Sequence, residues 1–536
     1  MARGNLLRLL QRSAARVRAA QFDPDAPVVD LGRRRMLAGT AALAAASALP
    51  CIGVAAGSTP MRRGAQIAAA VAQAPRVIVI GAGLAGLCAA DALARAGIRA
   101  DVYEASPRLG GRCLSERDIF ADAQVAERGG ELIDTGHAEI RALAQSLGLE
   151  LDDLTAAEAP DALAVVRFTD GIYPLADVDR DFAALLPALD RDAKSLGDDL
   201  PTWRKHTAAQ RALDRLSASD WIASRVPGGA ASRLGRLVGN AYIEELGGDL
   251  YETSAATVVV LLKGSPRDHF SPYEESDQRY HIRGGNDQVV RRLGERLRDR
   301  VTTSARLVAL NRRGDGRMRV TIARDQRVHD EIADRVVLAL PFTLLREVDI
   351  THAGFSPRKL AAIRELGMGR NCKLQLQFDA RAWQPLRASG ETRIDTAFQT
   401  SWEVTRAQPG ASGILNCFSG GSTATRAGEG PLDARVRDAL AALDAAMPGV
   451  AARFNGRAIR NAWERYPWTR GSYALFRPGQ YTTLNGALDT IEGTAHFAGE
   501  HTSAQWQGYL NGAVESGQRA AGEVVAALRG RSRRAA

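Results

Sequence analysis

The sequence predicts an α/β fold, and three observations carry that prediction. An apolar strand, Val77-Ile78-Val79-Ile80, runs straight into the turn Gly81-Ala82-Gly83-Leu84-Ala85-Gly86. An alanine- and leucine-rich helix from Leu84 to Ala96 follows, Gly97 stops it, and Arg99-Ala100-Asp101-Val102-Tyr103 reads as the next strand. At 536 residues the chain is also too long for one ordinary core, so two domains are expected. Strand, glycine turn, helix and strand in that order form a Rossmann-like unit, which binds a dinucleotide.

Each glycine has its own task. Gly81 permits the tight turn, Gly83 lets backbone reach a pyrophosphate, and Gly86 lets the helix pack closely on the strand. The helix start, with Leu84 and Ala85 in its first turn, offers free N–H groups and partial positive charge to phosphates. Glu104 stands about 20 residues past the first glycine, where a carboxylate accepts ribose hydroxyls.

Ala105-Ser106-Pro107-Arg108-Leu109-Gly110-Gly111-Arg112 comes next. Here the chain resembles the FAD-dependent amine oxidase family, which includes monoamine oxidases, polyamine oxidases and L-amino-acid oxidases. In that family an R-x-G-G-R segment wraps the cofactor's diphosphate. The resemblance places Ala105, Arg108, Gly110, Gly111 and Arg112 there, and guanidinium groups suit phosphate because they make forked hydrogen bonds. Nicotinamide dehydrogenases do not usually carry this second element, so FAD is favoured over NAD. Ala495-His496-Phe497-Ala498-Gly499-Glu500-His501-Thr502, then Gly508-Tyr509-Leu510-Asn511-Gly512-Ala513, resembles the family's C-terminal flavin motif. That likeness implies a strand ending at Gly499, a ribityl contact at Glu500, and a helix near Tyr509 that carries Ala513 past the cofactor. The positive end of that helix would face the flavin edge that gains negative charge on reduction.

The resemblance runs roughly from Ala74 to Arg529 and implies a discontinuous FAD-binding domain over 74–150, 271–341 and 457–528. An α+β substrate-binding domain, 151–270 with 342–456, is inserted into it. Glu127-Arg128-Gly129-Gly130-Glu131 resembles the strand and turn that pass the flavin ring, and Leu307 takes the strand position beside the adenine. Apolar periodicity predicts helices over Asp181–Leu196, Ala208–Ala223, Ala230–Leu246 and Leu432–Met447, and alternation predicts a strand over Lys373–Phe378.

Trp463-Glu464-Arg465-Tyr466-Pro467-Trp468-Thr469-Arg470-Gly471-Ser472-Tyr473 is the stretch nearest to chemistry, with Trp463 among the expected cofactor contacts. Monoamine oxidases have a flavin-bonding cysteine where Ser472 stands, which implies non-covalent FAD. Tyr473 and Tyr509 match the two walls of the family's aromatic cage, which holds a neutral amine with its α C–H toward the flavin. The plain alternative is a pair of core tyrosines with satisfied hydroxyls. Many relatives place a lysine near flavin N5. Arg346 aligns there and is the expected catalytic counterpart, with Lys373 the substitute. His137 and His501 are the nearest histidines, each either structural or proton-carrying.

The expected reaction is oxidation of an amine to an imine, which water hydrolyses, with dioxygen or another acceptor reoxidising the flavin. An L-amino-acid oxidase is the rival and would need a buried arginine such as Arg141 for the carboxylate. A flavin desaturase, a porphyrinogen oxidase and a non-catalytic FAD-binding protein share the nucleotide motifs. Homodimers are common in the family.

Composition adds limits. The net charge of +9 is concentrated at the start: residues 1–63 carry ten arginines and three aspartates, so the body is nearly balanced and offers no nucleic-acid patch. Arg33-Arg34-Arg35-Met36-Leu37 and the apolar run to Leu49 fit a twin-arginine signal over residues 1–56, with cleavage after Ala56. This predicts a periplasmic or secreted enzyme without an integral membrane segment, or a cytoplasmic one if the segment is not a signal. Five scattered cysteines (Cys51, Cys88, Cys113, Cys372 and Cys417) show no metal-ligand spacing, and no metal is expected.

Overall fold

Val77–Ile80 is the central strand of a five-stranded parallel sheet. In this computed structural model, which describes residues 75–159, 161–263 and 276–535, the strand order is 495–497, 335–338, 77–80, 100–103 and 301–302. The signal segment and Cys51 lie outside the described residues. Alternation sends Val77 and Val79 to one face and Ile78 and Ile80 to the other. On the first face lie the helix Leu84–Arg95 and the long C-terminal helix Leu510–Ala535. Gly517 lets them touch, since a Cβ there would stand 2.3 Å from the Ala85 carbonyl. The second face is covered by an antiparallel meander, Arg306–Arg312, Met318–Arg324 and Arg327–Ala333, and by the helices of the second unit. One sheet is thus assembled from strands at both ends and the middle of the chain.

The second unit has a seven-stranded sheet, in the order 454–462, 371–378, 413–420, 400–403, 388–393, 163–168 and 171–172. Helices Leu175–Leu196, Arg233–Leu246 and Ala255–Leu262 pack into the large core beside it. The α/β class and the discontinuous nucleotide unit with its α+β insertion match expectation, with local differences. Leu163–Phe168 is a strand inside a stretch read as mainly helical, because its parallel partner, Ala388–Arg393, is supplied from more than two hundred residues away. The helix expected over Ala208–Ala223 breaks in two because Ser217 accepts the Asp220 N–H and caps a new helix, Ala218–Arg225. Phe454–Ala462 pairs with Asn371–Phe378, so the insertion's sheet runs past the boundary drawn at 456/457. Leu151–Asp153 pairs with Tyr280–Ile282 and so leans toward the nucleotide unit.

Among the described residues no helix is long and apolar enough to cross a membrane, and no group of acidic, histidine or cysteine side chains is placed to hold a metal.

Candidate active site

A cleft of about 330 Å³ opens at the carboxyl end of the central strands. Gly81, Gly83, Leu84 and Ala85 line it from the first turn, Glu104, Ala105, Gly110, Gly111 and Arg112 from the next segment, and Leu307 from the meander. Gly499, Glu500, Tyr509 and Ala513 close it from the C-terminal motif. Sequence positions hundreds of residues apart therefore meet around one space.

The glycines behave as their spacing predicts. Gly81 has φ +97°, and a Cβ on Gly86 would stand 1.9 Å from the Gly81 carbonyl, so close helix-to-strand packing requires both. A Cβ on Gly83 would meet nothing within 4 Å, so its backbone faces open space. Gly83 caps the helix without a side-chain bond, leaving the first-turn N–H groups available to a ligand's phosphates. Glu104, buried, accepts the N–H groups of Ala82 (2.6 Å) and Ser106 (2.8 Å) and still lines the cleft. Burial pushes its carboxyl above the ordinary value, against those bonds and nearby Arg108. Arg112 ties the first segment to the last, donating to the Ser472 carbonyl (2.6 Å) and to Glu500 (2.7 Å). A cradle of backbone donors, a carboxylate at the strand end and an open helix start fit a dinucleotide.

Several expected contacts lie elsewhere. Arg108 folds back onto its own turn, donating to the Leu109 and Gly111 carbonyls with its guanidinium over the Tyr466 ring, and does not line the cleft. Trp463 packs under the Gly129 turn and donates to the Arg128 carbonyl (3.0 Å), so it braces the site from behind. Arg346 is also displaced. Its guanidinium donates to the Ile363 and Leu366 carbonyls, each at 2.6 Å, and so caps the helix Pro357–Glu365. Its neighbour Glu347 reaches the cleft instead and pairs with Arg470.

Lys373, the substitute, lies against the turn assigned to the flavin ring. Its buried Nζ donates to the Glu127 and Gly129 carbonyls (3.0 Å each) and to Glu131 (2.5 Å), using all three N–H bonds. Burial opposes ionisation of Glu131, but Lys373 and the Trp402 indole N–H outweigh it and hold the carboxyl below its ordinary value. This network clamps Gly129-Gly130 in place.

Tyr509 lines the cleft and Tyr473 an adjoining cavity, with Gly508 between them, where an added Cβ would lie 3.8 Å from the Tyr473 ring. The Tyr473 hydroxyl donates to the Glu245 carbonyl (2.6 Å) at the end of helix Arg233–Leu246. His137 supports Tyr509: the rings meet edge to face at 4.7 Å, and Nδ1 accepts the Asp134 N–H (2.9 Å). His501 lies edge-on to Phe342 at 4.4 Å, and burial, reinforced by Arg112, Lys359 and Arg519, drives its pKa well below the ordinary value. Burial thus favours the neutral imidazole. Arg141 donates to the Thr135 carbonyl (2.6 Å) and stacks on Tyr280, away from both cavities. Tyr466–Arg470, part of the stretch read as nearest to chemistry but with no role assigned to its own residues, lines the cleft and is fastened by Thr343 Oγ1 donating to the Thr469 carbonyl (2.8 Å).

The sequence profile described as flavin containing amine oxidoreductase matches residues 84–525. The chain belongs to that family. It is therefore a flavoenzyme, an FAD-dependent oxidoreductase that acts on amines. Members of the family similar to it include YobN of Bacillus subtilis (strain 168), provisionally named an L-amino-acid oxidase, 26% identical over 84% of this chain and 94% of that protein. Flavin-containing amine oxidase A of Sus scrofa is 26% identical over 84% of this chain and 85% of its own. Among solved structures, cyclohexylamine oxidase from Brevibacterium oxydans IH-35A superposes with a TM-score of 0.72 at 26% identity, covering 85% of this chain and 99% of that one.

Proposed function

We propose that this enzyme oxidises a primary or secondary amine that carries no α-carboxylate, using FAD held without a covalent bond, in an exported form. The observation that carries the substrate reading is the position of Arg141: its guanidinium is committed to the Thr135 carbonyl and the Tyr280 face, so Arg141 does not supply the counter-ion an amino acid would need. This weighs against the L-amino-acid oxidase alternative.

When bound, the flavin supplies the acceptor for the hydride of the amine's α C–H. The chain's residues do the remaining work. Gly83, Leu84 and Ala85 present backbone N–H groups to the diphosphate, Glu104 takes the ribose, and Glu500 takes the ribityl chain. Tyr509 and Tyr473 orient the amine from adjoining walls, braced by His137 and by the Glu245 carbonyl. Lys373 and Glu131 hold the Gly129 turn rigid. Two facts support non-covalent FAD. Ser472 is hydrogen-bonded to Asn371 at 2.5 Å and lacks a thiolate's nucleophilicity, and burial drives the Cys113 thiol in the cleft wall well above its ordinary pKa. Export rests on Arg33-Arg34-Arg35 and the apolar run after it. Dioxygen or a second acceptor reoxidises the enzyme, and a homodimer is in keeping with the family.

Anaerobic mixing with amines, polyamines and L-amino acids, followed by air, tests the reading. Amines should bleach the flavin band and amino acids should not. Tyr473→Ala and Tyr509→Ala should each slow bleaching by roughly tenfold or more, the scale of a lost positioning contact, while retaining FAD. Bleaching by amino acids alone would overturn the proposal.

A further inference from the structure

We propose that Asn286 is a positioning residue for the flavin: its amide turns two peptide groups of the Gly129-Gly130 turn so that their N–H bonds face the cofactor ring and favour its reduced form. The chain reaches this point through Gly285, whose φ of +111° swings Asn286 back under the turn assigned to the flavin. The Asn286 side chain is fully buried. Its Oδ1 accepts the Ile282 N–H (3.0 Å), and its Nδ2 donates to the carbonyls of Gly130 (3.0 Å) and Glu131 (2.7 Å). With an N–H on one side and two carbonyls on the other, the amide has a single orientation that satisfies both. Its backbone N–H donates to Glu127 (2.8 Å), which Ser115 and His281 hold in turn at 2.9 Å each.

The consequence lies on the far side of those peptides. No peptide bond among the described residues is cis, and in a trans peptide the N–H points away from the carbonyl it follows. Two carbonyls aimed at Asn286 therefore send the N–H groups of Glu131 and Leu132 the other way. Gly130 lines the flavin cleft and Asn286 does not, so the cleft lies on that other side. Glu131 and Leu132 are buried, and neither N–H finds an acceptor among the described residues. Buried backbone donors without a partner are rare in folded proteins, and two of them on one side of one turn mark the place of a ligand's acceptors. Lys373 takes the preceding carbonyl, that of Gly129, and leaves these two peptides to Asn286. Preorganised N–H dipoles stabilise negative charge where it accumulates. Reduction adds that charge to the flavin, so the pair should raise the cofactor's potential.

Reductive titration of FAD-loaded enzyme against a reference dye of known potential tests this without any amine. Asn286→Ala should shift the equilibrium toward oxidised flavin by about tenfold, the scale of one hydrogen bond to a charged group, which for a two-electron couple is about 30 mV. Asn286→Ser, which keeps one hydroxyl donor for the carbonyls, should restore part of the loss and remain about threefold from the parent. In both variants the affinity for reduced FAD should fall more than the affinity for oxidised FAD. A scaffold role alone would lower the melting temperature and leave the potential where it was; that result, or a potential that rises, overturns the proposal. If Asn286→Ala fails to accumulate, Asn286→Ser carries the test, and a potential equal to the parent's overturns it. The readout is the flavin's own equilibrium, so an enzyme bleached by no amine sinks the amine-oxidation reading and not this one.

Discussion

Arg346, exposed, and Lys359, buried, show how a cation's role depends on what surrounds it. Arg346 caps the helix Pro357–Glu365 through two carbonyls. Arg346→Met should therefore lower stability by about 1–3 kcal/mol, the cost of buried acceptors left without donors, while the rate of flavin reduction by substrate changes less than about twofold. A thermal melt with stopped-flow reduction separates the two effects. Lys359 is fully buried, donates to the Leu488 carbonyl (2.8 Å) and lies 3.7 Å from the centre of the Phe497 ring. Burial pulls its pKa from 10.5 to about 7 despite Glu492 and Asp489 nearby. Between those values the unfolded chain binds the proton and the folded protein does not, so stability should rise as pH climbs from about 7 to 10.5. Lys359→Met should flatten that rise, as melting midpoints across the window would reveal. An unchanged slope would mean the amine stays charged when buried.

At the scale of elements, the glycine turn and its helix give the sharpest contrast. Gly83 and Gly86 lie three positions apart in one motif, yet a methyl on the first meets only open space and a methyl on the second collides with the Gly81 carbonyl. Gly83→Ala should fold and lose FAD affinity by about tenfold or more, the scale of one hydrogen bond to a charged group. Gly86→Ala should fail to accumulate as soluble protein, because backbone cannot yield at that distance. Flavin titration of the first and expression of the second check both. That turn was legible because local backbone demands are written in single residues. The strand Leu163–Phe168 was not, since what makes it a strand is an edge offered by Ala388–Arg393. The same holds for Arg108 and Trp463: their types suit a cofactor, but the nearer carbonyls of Gly111 and Arg128 claim their donors.

Across the whole molecule, the cleft is shared by segments that begin near residue 80 and end near residue 513. A ligand gripping all of them binds the folded chain and not the unfolded one. FAD at a hundredfold excess over its Kd should therefore add about 2.7 kcal/mol of stability, read as a rise in melting temperature that grows with FAD concentration. A midpoint indifferent to FAD would show that the segments do not close on the cofactor. Arg112 is the clearest tie among them, joining Ser472 and Glu500 across more than 350 residues of chain.

The resemblance to the family marked the C-terminal flavin motif; sequence alone determined the dinucleotide turn, the acid after the second strand and the α/β class. Those depend on short-range rules of backbone freedom, helix starts and strand alternation, which a few neighbouring residues express. Only the tertiary structure decided which polar side chains face the cleft and which serve the scaffold. It placed Lys373 against Gly129, turned Arg346 into a helix cap and set the Asn286 amide against the Gly130 and Glu131 carbonyls. The reason is that a buried donor or acceptor takes the nearest partner of suitable geometry, and which partner is nearest is settled by contacts between distant segments.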